Sequence, residues 1–503
     1  MKPVVASLSW ASALAGGAMA GASYPPVPAD LSTPTQQRIA IKGPNSISVG
    51  WNTHQQMSEP CVQYGTASNN LKSTACSRSS ITYPNSRTYV NTVVLSGLAP
   101  ATTYYYKIVS TNSSVEEFFS PRSAGDKTSF SFNAVIDMGV YGEDGYTIAM
   151  DGAHRDTIPN IEPALNHTTI GRLASTIDDY ELIVHPGDIA YADDWIFSRK
   201  NLFDGRDAYA AITEQFHGQL APIAARKPYM VGPGNHEASC EELPGLTILC
   251  PAGQRNFTDY RMRYTDLMPT ISGSVSSNDT MRAKANEAQV LANPPFWYSF
   301  EYGMLHYIMI DTETDFYDAP DEPGGTDGLN SGPFGRTARQ QLAFLEADLQ
   351  SVDRSVTPWV VVGGHRPWYT VGGHACMACQ RAFEPILYKY GVDLGIFGHE
   401  HNSQRFMPVY KGEADPNGME DPDAPMYIVS GGAGNIEGLG PIVGPEMSFN
   451  PWNYAEDFSY SRITLMDEQH LRVQFIQSST GDVIDESVLF KSHDTDNFVS
   501  DEL

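Results

Sequence analysis

The sequence predicts an N-terminal antiparallel β-sandwich followed by a larger layered α/β domain, and three observations predict it. Short alternating segments separated by turn residues occupy residues 38–123. From residue 128 onward, apolar runs of strand length alternate with longer helical or irregular stretches. The chain has 503 residues, more than one average domain, and so divides into units of unequal size.

Taken in order, residues 1–22 read as a secretory signal. Met1-Lys2 precedes a small-residue and apolar run through Leu8, Trp10 and Leu14, and Ala18-Met19-Ala20 supplies an A-x-A cleavage site. Residues 23–37 form a stiff leader containing Pro25, Pro26, Pro28 and Pro34. Within the sandwich, Ser46-Ile47-Ser48-Val49-Gly50-Trp51 and Tyr104-Tyr105-Tyr106-Lys107-Ile108-Val109 have strand character, and a Leu98-Ala99-Pro100-Ala101-Thr102 turn precedes the second. This module resembles a fibronectin type III domain, a fold that confers no function by itself.

The informative residues of the second domain, 128–485, sit at strand ends. Phe132-Asn133-Ala134-Val135-Ile136 runs into Asp137, and Leu182-Ile183-Val184-His185 runs through Pro186-Gly187 into Asp188. Tyr229-Met230-Val231 leads to Gly234-Asn235-His236-Glu237. Trp359-Val360-Val361-Val362 leads to His365, and Leu394-Gly395-Ile396-Phe397 leads to Gly398-His399-Glu400-His401. Buried strands need no such residues for stability, whereas ligands of α/β sheets gather at the carboxyl ends of strands. Leu342, Leu345 and Leu349 predict a helix over 336–349. Residues 240–295 and the Asp-, Gly- and Pro-rich 312–336 read as surface loops or rim segments. Strands such as Leu471-Arg472-Val473-Gln474-Phe475 close the domain, and a polar tail occupies 486–503. His185, His306 and Asp311 read as core or supporting residues, and Trp297, Tyr302 and Trp368 as packing aromatics.

Lys plus Arg number 32 against 59 Asp plus Glu, a formal charge of -27. That charge argues against nucleic-acid or anionic-membrane partners held through a basic surface. It also repels a phosphate ester at neutral pH, a repulsion that fades as carboxylates protonate in acid. After the signal there is no apolar run approaching the ~18 residues of a membrane span. Asn112, Asn166, Asn256 and Asn278 each begin an N-x-[ST] sequon, in keeping with secretion. The six cysteines form three local couples, making Cys61 with Cys76, Cys240 with Cys250 and Cys376 with Cys379 the simplest pairing. A redox or zinc role for Cys376-x-x-Cys379 is the alternative, but no second pair at zinc spacing follows.

The strand-end residues amount to two carboxylates, a phenol, an amide oxygen and several imidazoles, a set suited to two metals of different hardness. Gly187 permits a sharp turn before Asp188, with Tyr191 three residues on, so one loop can offer both oxygens to one ion. An extended Gly398–His401 segment would place His399 and His401 on one face.

Asp137-Met138-Gly139, Gly187-Asp188-Ile189-Ala190-Tyr191, Gly234-Asn235-His236-Glu237, Val362-Gly363-Gly364-His365 and Gly398-His399-Glu400-His401 resemble, in order and spacing, the five motifs of purple acid phosphatases. The resemblance covers about 128–485, and the β module resembles the N-terminal domain of the large secreted members. It implies an α/β/β/α metallophosphoesterase domain, with iron(III) on Asp137, Tyr191 and His401, and zinc, iron or manganese(II) on Asn235, His365 and His399. Asp188 is then the bridge, and His236 and His374 face a small phosphate-ester substrate as its catalytic groups. Glu237 orients a ligand from behind. The sequence departs from the family at Asn402-Ser403-Gln404-Arg405, where many relatives carry an aromatic and a glutamate, and at Ala375, where some plant relatives carry a second histidine. Those differences bear on substrate preference and pH optimum, and leave the ligands untouched. The implied activity is secreted acid phosphatase, with phytate among the candidate substrates. A phosphodiesterase or nucleotide pyrophosphatase on the same centre, and a non-catalytic surface adhesion protein, are the alternatives. Oligomeric state is left open.

Overall fold

A computed structural model describes residues 25–141, 168–197, 205–241, 250–270, 276–445 and 447–493. The signal 1–22, the sequon at Asn166 and the end of the polar tail lie outside them. No helix among the described residues is long and apolar enough to cross a membrane.

The first unit is a sandwich of two four-stranded antiparallel sheets. Thr35–Gly43, Ser46–Thr53, Tyr89–Ser96 and Ser80–Ile81 form one. Ser73–Cys76, Cys61–Gly65, Thr103–Ile108 and Glu116–Phe119 form the other. Ile39, Ile47, Val49, Trp51, Val62, Tyr106 and Phe118 are buried in its core, the inward positions that strand alternation supplies. The Cys61–Cys76 disulfide joins facing residues of adjacent strands.

Beyond it, two mixed sheets form the middle layers of the large domain. In the six-stranded sheet, Tyr229–Gly232, Leu182–Pro186 and Phe130–Ala134 run parallel, and Ser459–Leu465, His470–Gln477 and Val483–Phe490 continue it antiparallel. The seven-stranded sheet runs Tyr298–Tyr302, Leu305–Met309, Trp359–Gly363, Leu394–Phe397, Met426–Ser430, Ser403–Arg405, Trp452–Tyr454, parallel from the second strand to the fifth. The sheets meet where Phe132 and Tyr307 pack edge to face at 6.2 Å and where Ser430 Oγ donates to the Ala134 carbonyl at 3.2 Å. Helix Gly205–Ala224 buries Tyr209, Ile212, Phe216, Leu220 and Ile223 at helical spacing. Helices Gln340–Ser351 and Met377–Lys389 bury Phe344, Leu345 and Leu349, and Cys379, Phe383 and Leu387. Cys240–Cys250 and Cys376–Cys379 complete the disulfides, and the latter pair opens helix Met377–Lys389 instead of forming a free redox or zinc site.

Three expectations need correction. The helix expected from residue 336 begins at Gln340, because Arg339 (φ 62°) is left-handed and the Asp315 carboxylate claims the backbone N–H groups of Phe334 and Gly335. Residues 240–295 are not simply loop: they hold helices Thr258–Tyr264 and Asp279–Leu291, the second capped by Asn278 Oδ1. In 312–336, Thr312, Glu313, Thr314, Asp315 and Asp321 are buried, so the segment is wedged into the domain rather than laid over it.

His185, His306 and Asp311 are all buried. His306 Nε2 lies 2.8 Å from Asp348 Oδ2. Burial opposes its charge, but Asp348 and Glu301 together outweigh burial and raise the imidazole to about 9. A folded value above the unfolded value, about 6.5, means stabilisation that is full below about pH 6.5 and is lost as pH rises through about 9. The stability gap between wild type and His306→Gln in urea should therefore shrink by about 3 kcal/mol between about pH 6 and pH 10. A gap independent of pH would mean that the pair is not ionic.

Candidate metal centre

The loops that leave the two parallel strand sets converge at the carboxyl edge of both sheets, as the strand-end pattern predicts. Phe130–Ala134 delivers Asp137, Leu182–Pro186 delivers Asp188 and Tyr191, and Tyr229–Gly232 delivers Asn235 in the short helix Asn235–Ala238. Trp359–Gly363 delivers His365, and Leu394–Phe397 delivers His399 and His401. The structure thus brings all seven together. Tyr191 Oη lies 3.1 Å from Asp137 Oδ1, 3.1 Å from Asp188 Oδ2 and 2.6 Å from His401 Nε2. His365 Nε2 lies 3.0 Å from the same Asp188 Oδ2 and 2.9 Å from Asn235 Oδ1. Its ring meets that of His399 edge to face, with centroids 5.1 Å apart. Asp188 Oδ2 therefore stands between a Tyr191–Asp137–His401 group and a His365–Asn235–His399 group.

The backbone is strained to achieve this. Asp137 (φ 60°), Asp188 (φ 51°), Tyr191 (φ 49°) and His399 (φ 66°) are non-glycine residues in the left-handed region, each at a cost of about 1 kcal/mol or more. Such strain collects at functional sites. The Gly398–His401 segment is accordingly not the extended chain expected from sequence: it turns sharply, with Glu400 N–H donating to the Gly398 carbonyl and Asn402 N–H to the Glu400 carbonyl. Glycine is required where backbone passes a carboxylate. A Cβ at Gly234 would come within 2.2 Å of Asp188 Oδ1, and one at Gly398 within 2.5 Å of Asp137 Oδ2.

The donor set fits two cations. Burial and the neighbouring carboxylate hold Asp137 well above the usual carboxylate range, and burial beside Asp137 and Asp188 does the same to the Tyr191 phenol. Burial also opposes ionisation of Asp188, but His365 and His236 overcome it and hold that carboxyl well below its usual value. Burial drives His399 down and His401 to about 4, leaving both imidazoles neutral with lone pairs available. His365 Nδ1 is buried without a hydrogen bond. Such a crowd of buried acceptors is costly without compensating positive charge, and the ligand atoms of Asp188, His365 and His399 already lie within 4.8 Å of one another.

Supporting residues lock the loops. Glu237 accepts backbone N–H bonds from Asp188 (2.9 Å), Ile189 (2.8 Å) and Gly234 (3.0 Å), and burial raises it to about 8. His236 sits over Tyr191, ring centroids 4.1 Å apart, with its backbone N–H on Asp188 Oδ1. Its Nδ1 is 2.9 Å from Asp193 Oδ1 and its Nε2 2.7 Å from Glu241 Oε2. His374 is exposed, on the loop before helix Met377–Lys389, and its backbone N–H donates to Glu400 Oε1 at 2.5 Å. Sequence reasoning missed Asp193, Glu241 and Arg366. Arg366 reaches Glu313 (2.6 Å) and Asp327 (2.7 Å), with Nη1 3.4 Å from His399 Nε2, and so ties the 312–336 segment to the centre. Its only sequence signal is its place directly after His365.

A β-sandwich leading into a two-sheet domain, with mixed oxygen and imidazole ligands at the sheet edges, defines a metallophosphoesterase. Residues 34–124 match the family model of the purple acid phosphatase N-terminal domain, 164–403 that of calcineurin-like phosphoesterases, and 424–486 that of the iron/zinc purple acid phosphatase-like C-terminal region. Acid phosphatase A of Cryphonectria parasitica is 60% identical over 493 residues, covering 97% of each chain. A nucleotide pyrophosphatase/phosphodiesterase of Hordeum vulgare is 26% identical, covering 68% of this chain and 82% of its own. The structure of a purple acid phosphatase from yellow lupin seeds superimposes with a TM-score of 0.64 at 20% identity, covering 92% of this chain and 75% of its own. The chain belongs to the purple acid phosphatase family, whose members use a binuclear metal centre.

Proposed function

We propose that the protein is a secreted acid phosphatase that hydrolyses phosphate monoesters at a binuclear centre of iron(III) and a divalent zinc, iron or manganese. The observation that carries this reading is the position of Asp188 Oδ2, 3.1 Å from Tyr191 Oη on one side and 3.0 Å from His365 Nε2 on the other. Asp137, Tyr191 and His401 would hold iron(III), Asn235, His365 and His399 the divalent ion, and Asp188 both. When bound, the ions neutralise charge on the phosphoryl oxygens and lower the pKa of a coordinated water, so that a nucleophile exists in acid.

The protein's own contribution is orientation and proton supply. Asp193, fully buried, fixes the His236 ring through Nδ1, and Nε2–H meets the partly exposed Glu241 carboxylate at 2.7 Å, which a substrate would displace. That N–H can donate to a phosphoryl oxygen or to the departing alkoxide. His374 would serve the leaving group from the exposed loop. Phytate, an ester carrying several phosphate monoesters, falls within this chemistry. The 60% identity to an acid phosphatase over 97% of both chains supports the monoester reading over phosphodiester or pyrophosphate cleavage, which the barley relative keeps as the second. Secretion rests on the 1–22 signal and on three disulfides, which persist in oxidising compartments. Asn112, Asn256 and Asn278 are exposed, as glycan acceptors must be, and a glycan on Asn278 Nδ2 leaves Oδ1 free for its helix cap.

The test is an absorption spectrum with metal analysis of wild type and Tyr191→Phe, alongside turnover of a chromogenic monoester in acid. A visible band lost in the variant while iron stays bound is expected, together with monoester turnover by wild type. Metal-replete wild type without iron and without the band would overturn the iron(III)–tyrosinate centre.

A further inference from the structure

Both ring nitrogens of His236 are taken by carboxylates, Asp193 Oδ1 at Nδ1 and Glu241 Oε2 at Nε2. A metal ion in this trio is a poorer account than hydrogen bonds, because the carboxylates meet opposite edges of the imidazole and one ion can take only one ring nitrogen. The two carboxylates differ in freedom: the Asp193 side chain is 0% exposed and that of Glu241 31%. Asp193 is the fixed partner and Glu241 the one free to move. Glu241 is anchored by its neighbour Cys240, disulfide-bonded to Cys250, and its backbone N–H donates to Asp193 Oδ2 at 3.4 Å. From there its charge is felt by His236, Asp188 and Arg366, and by His401 across the centre.

We propose that Glu241 determines specificity: its carboxylate stands on His236 Nε2 where a substrate oxygen must stand, and it selects for monoesters with a neutral or cationic leaving group. The inference rests on the reading of the site as a phosphatase with His236 facing substrate. Substrate binding displaces the Glu241 carboxylate, and the displaced charge stays at the mouth of the site. A leaving group bearing further phosphates, as in inositol hexakisphosphate, then meets that negative charge at short range, where such repulsion is weakly screened. A glycerol or amino-alcohol leaving group does not. Phytate is thus hydrolysed as a disfavoured substrate.

The experiment measures kcat/KM for inositol hexakisphosphate and β-glycerophosphate with the metal-replete wild type and Glu241→Gln, at low and high ionic strength. In the variant KM falls for both esters, and the phytate-to-glycerophosphate ratio rises about tenfold at low salt. Added salt raises the ratio in both proteins by screening the chain's overall negative charge, and leaves most of the gap between them, because the Glu241 charge acts at short range. Glu241→Lys raises the ratio further. A merely structural role for Glu241 would disturb His236 for both esters alike, so an unchanged ratio in both variants overturns the proposal. Failure of metal-replete wild type to hydrolyse either ester overturns the phosphatase reading and the proposal with it.

Discussion

Asp188→Asn is expected to yield a folded protein that retains fewer than two metal ions and turns over a chromogenic monoester at least about 10³-fold more slowly. The amide preserves the volume of the carboxylate and its backbone contacts to Glu237 and His236, so the loop geometry should survive. What it loses is the charge between Tyr191 Oη and His365 Nε2. With the amide oxygen kept on the His236 N–H, the –NH2 takes the Oδ2 position, where it presents protons instead of lone pairs and carries no charge to balance two cations. Glu237→Gln, acting only through the Asp188, Ile189 and Gly234 amides, should cost about 10- to 100-fold. Elemental analysis beside kcat checks both. The metal-free proteins add a control: Asp188→Asn should be less stable than metal-free wild type, since without metal the Asp188 carboxylate is the buried partner of His365 and His236 and its removal leaves them uncompensated. An Asp188→Asn protein with two ions and wild-type turnover would remove Asp188 from the centre.

Much of this site was legible because the physics that places it is local. A strand of four or five apolar residues followed by Asp, Asn or His is visible in one line of sequence, and parallel strands deliver such ends to one edge. The conformation of the delivered residues was not legible. Nothing in Gly398-His399-Glu400-His401 announces that His399 sits at φ 66°, because the strain is sustained by contacts from elsewhere, including His399 N–H on Asp137 Oδ2 at 2.8 Å. Polar composition misled for 312–336. Asp and Gly usually mark solvated loops, but here Asp315 staples Phe334 and Gly335, and Glu313, Asp321 and Asp327 surround Arg366. Pairing across tens of residues decides that burial. Glu241 was hidden for the same reason: its partner His236 is five positions away in a segment whose turn the sequence does not specify.

Arg263→Met should have the largest effect on stability, about 3–5 kcal/mol, and it acts where the two domains meet. The Arg263 guanidinium is buried and donates to Asp259 Oδ1 (2.5 Å), Gln36 Oε1 (2.7 Å) and Tyr83 Oη (2.8 Å). Gln36 and Tyr83 belong to the sandwich, while Asp259 and Arg263 lie on helix Thr258–Tyr264. Arg38 of the sandwich reaches back to the Arg263 carbonyl at 3.4 Å and lies over the Tyr264 ring at 5.7 Å. Burial lowers Arg38 to about 10, so it remains a cation at any acidic working pH. Truncating Arg263 leaves the Asp259 carboxylate, the Gln36 oxygen and the Tyr83 hydroxyl without their buried partner, and the deficit is the desolvation each has already incurred. Calorimetry should show the apparent unfolding temperature several degrees lower, with the sandwich melting ahead of the catalytic domain. Asp259 and Arg263 also share the lining of a cavity of about 20 Å³ with His236 and Glu237, so kcat should fall modestly as well. Asp259→Leu added to Arg263→Met provides the decisive comparison. If the loss comes from an uncompensated buried carboxylate, the double variant recovers a large part of it, because an apolar pair in place of a buried ion pair is often neutral. If instead the loss comes from separating the domains, the double variant stays as unstable as the single one, and the sandwich is held by the Gln36 and Tyr83 contacts themselves.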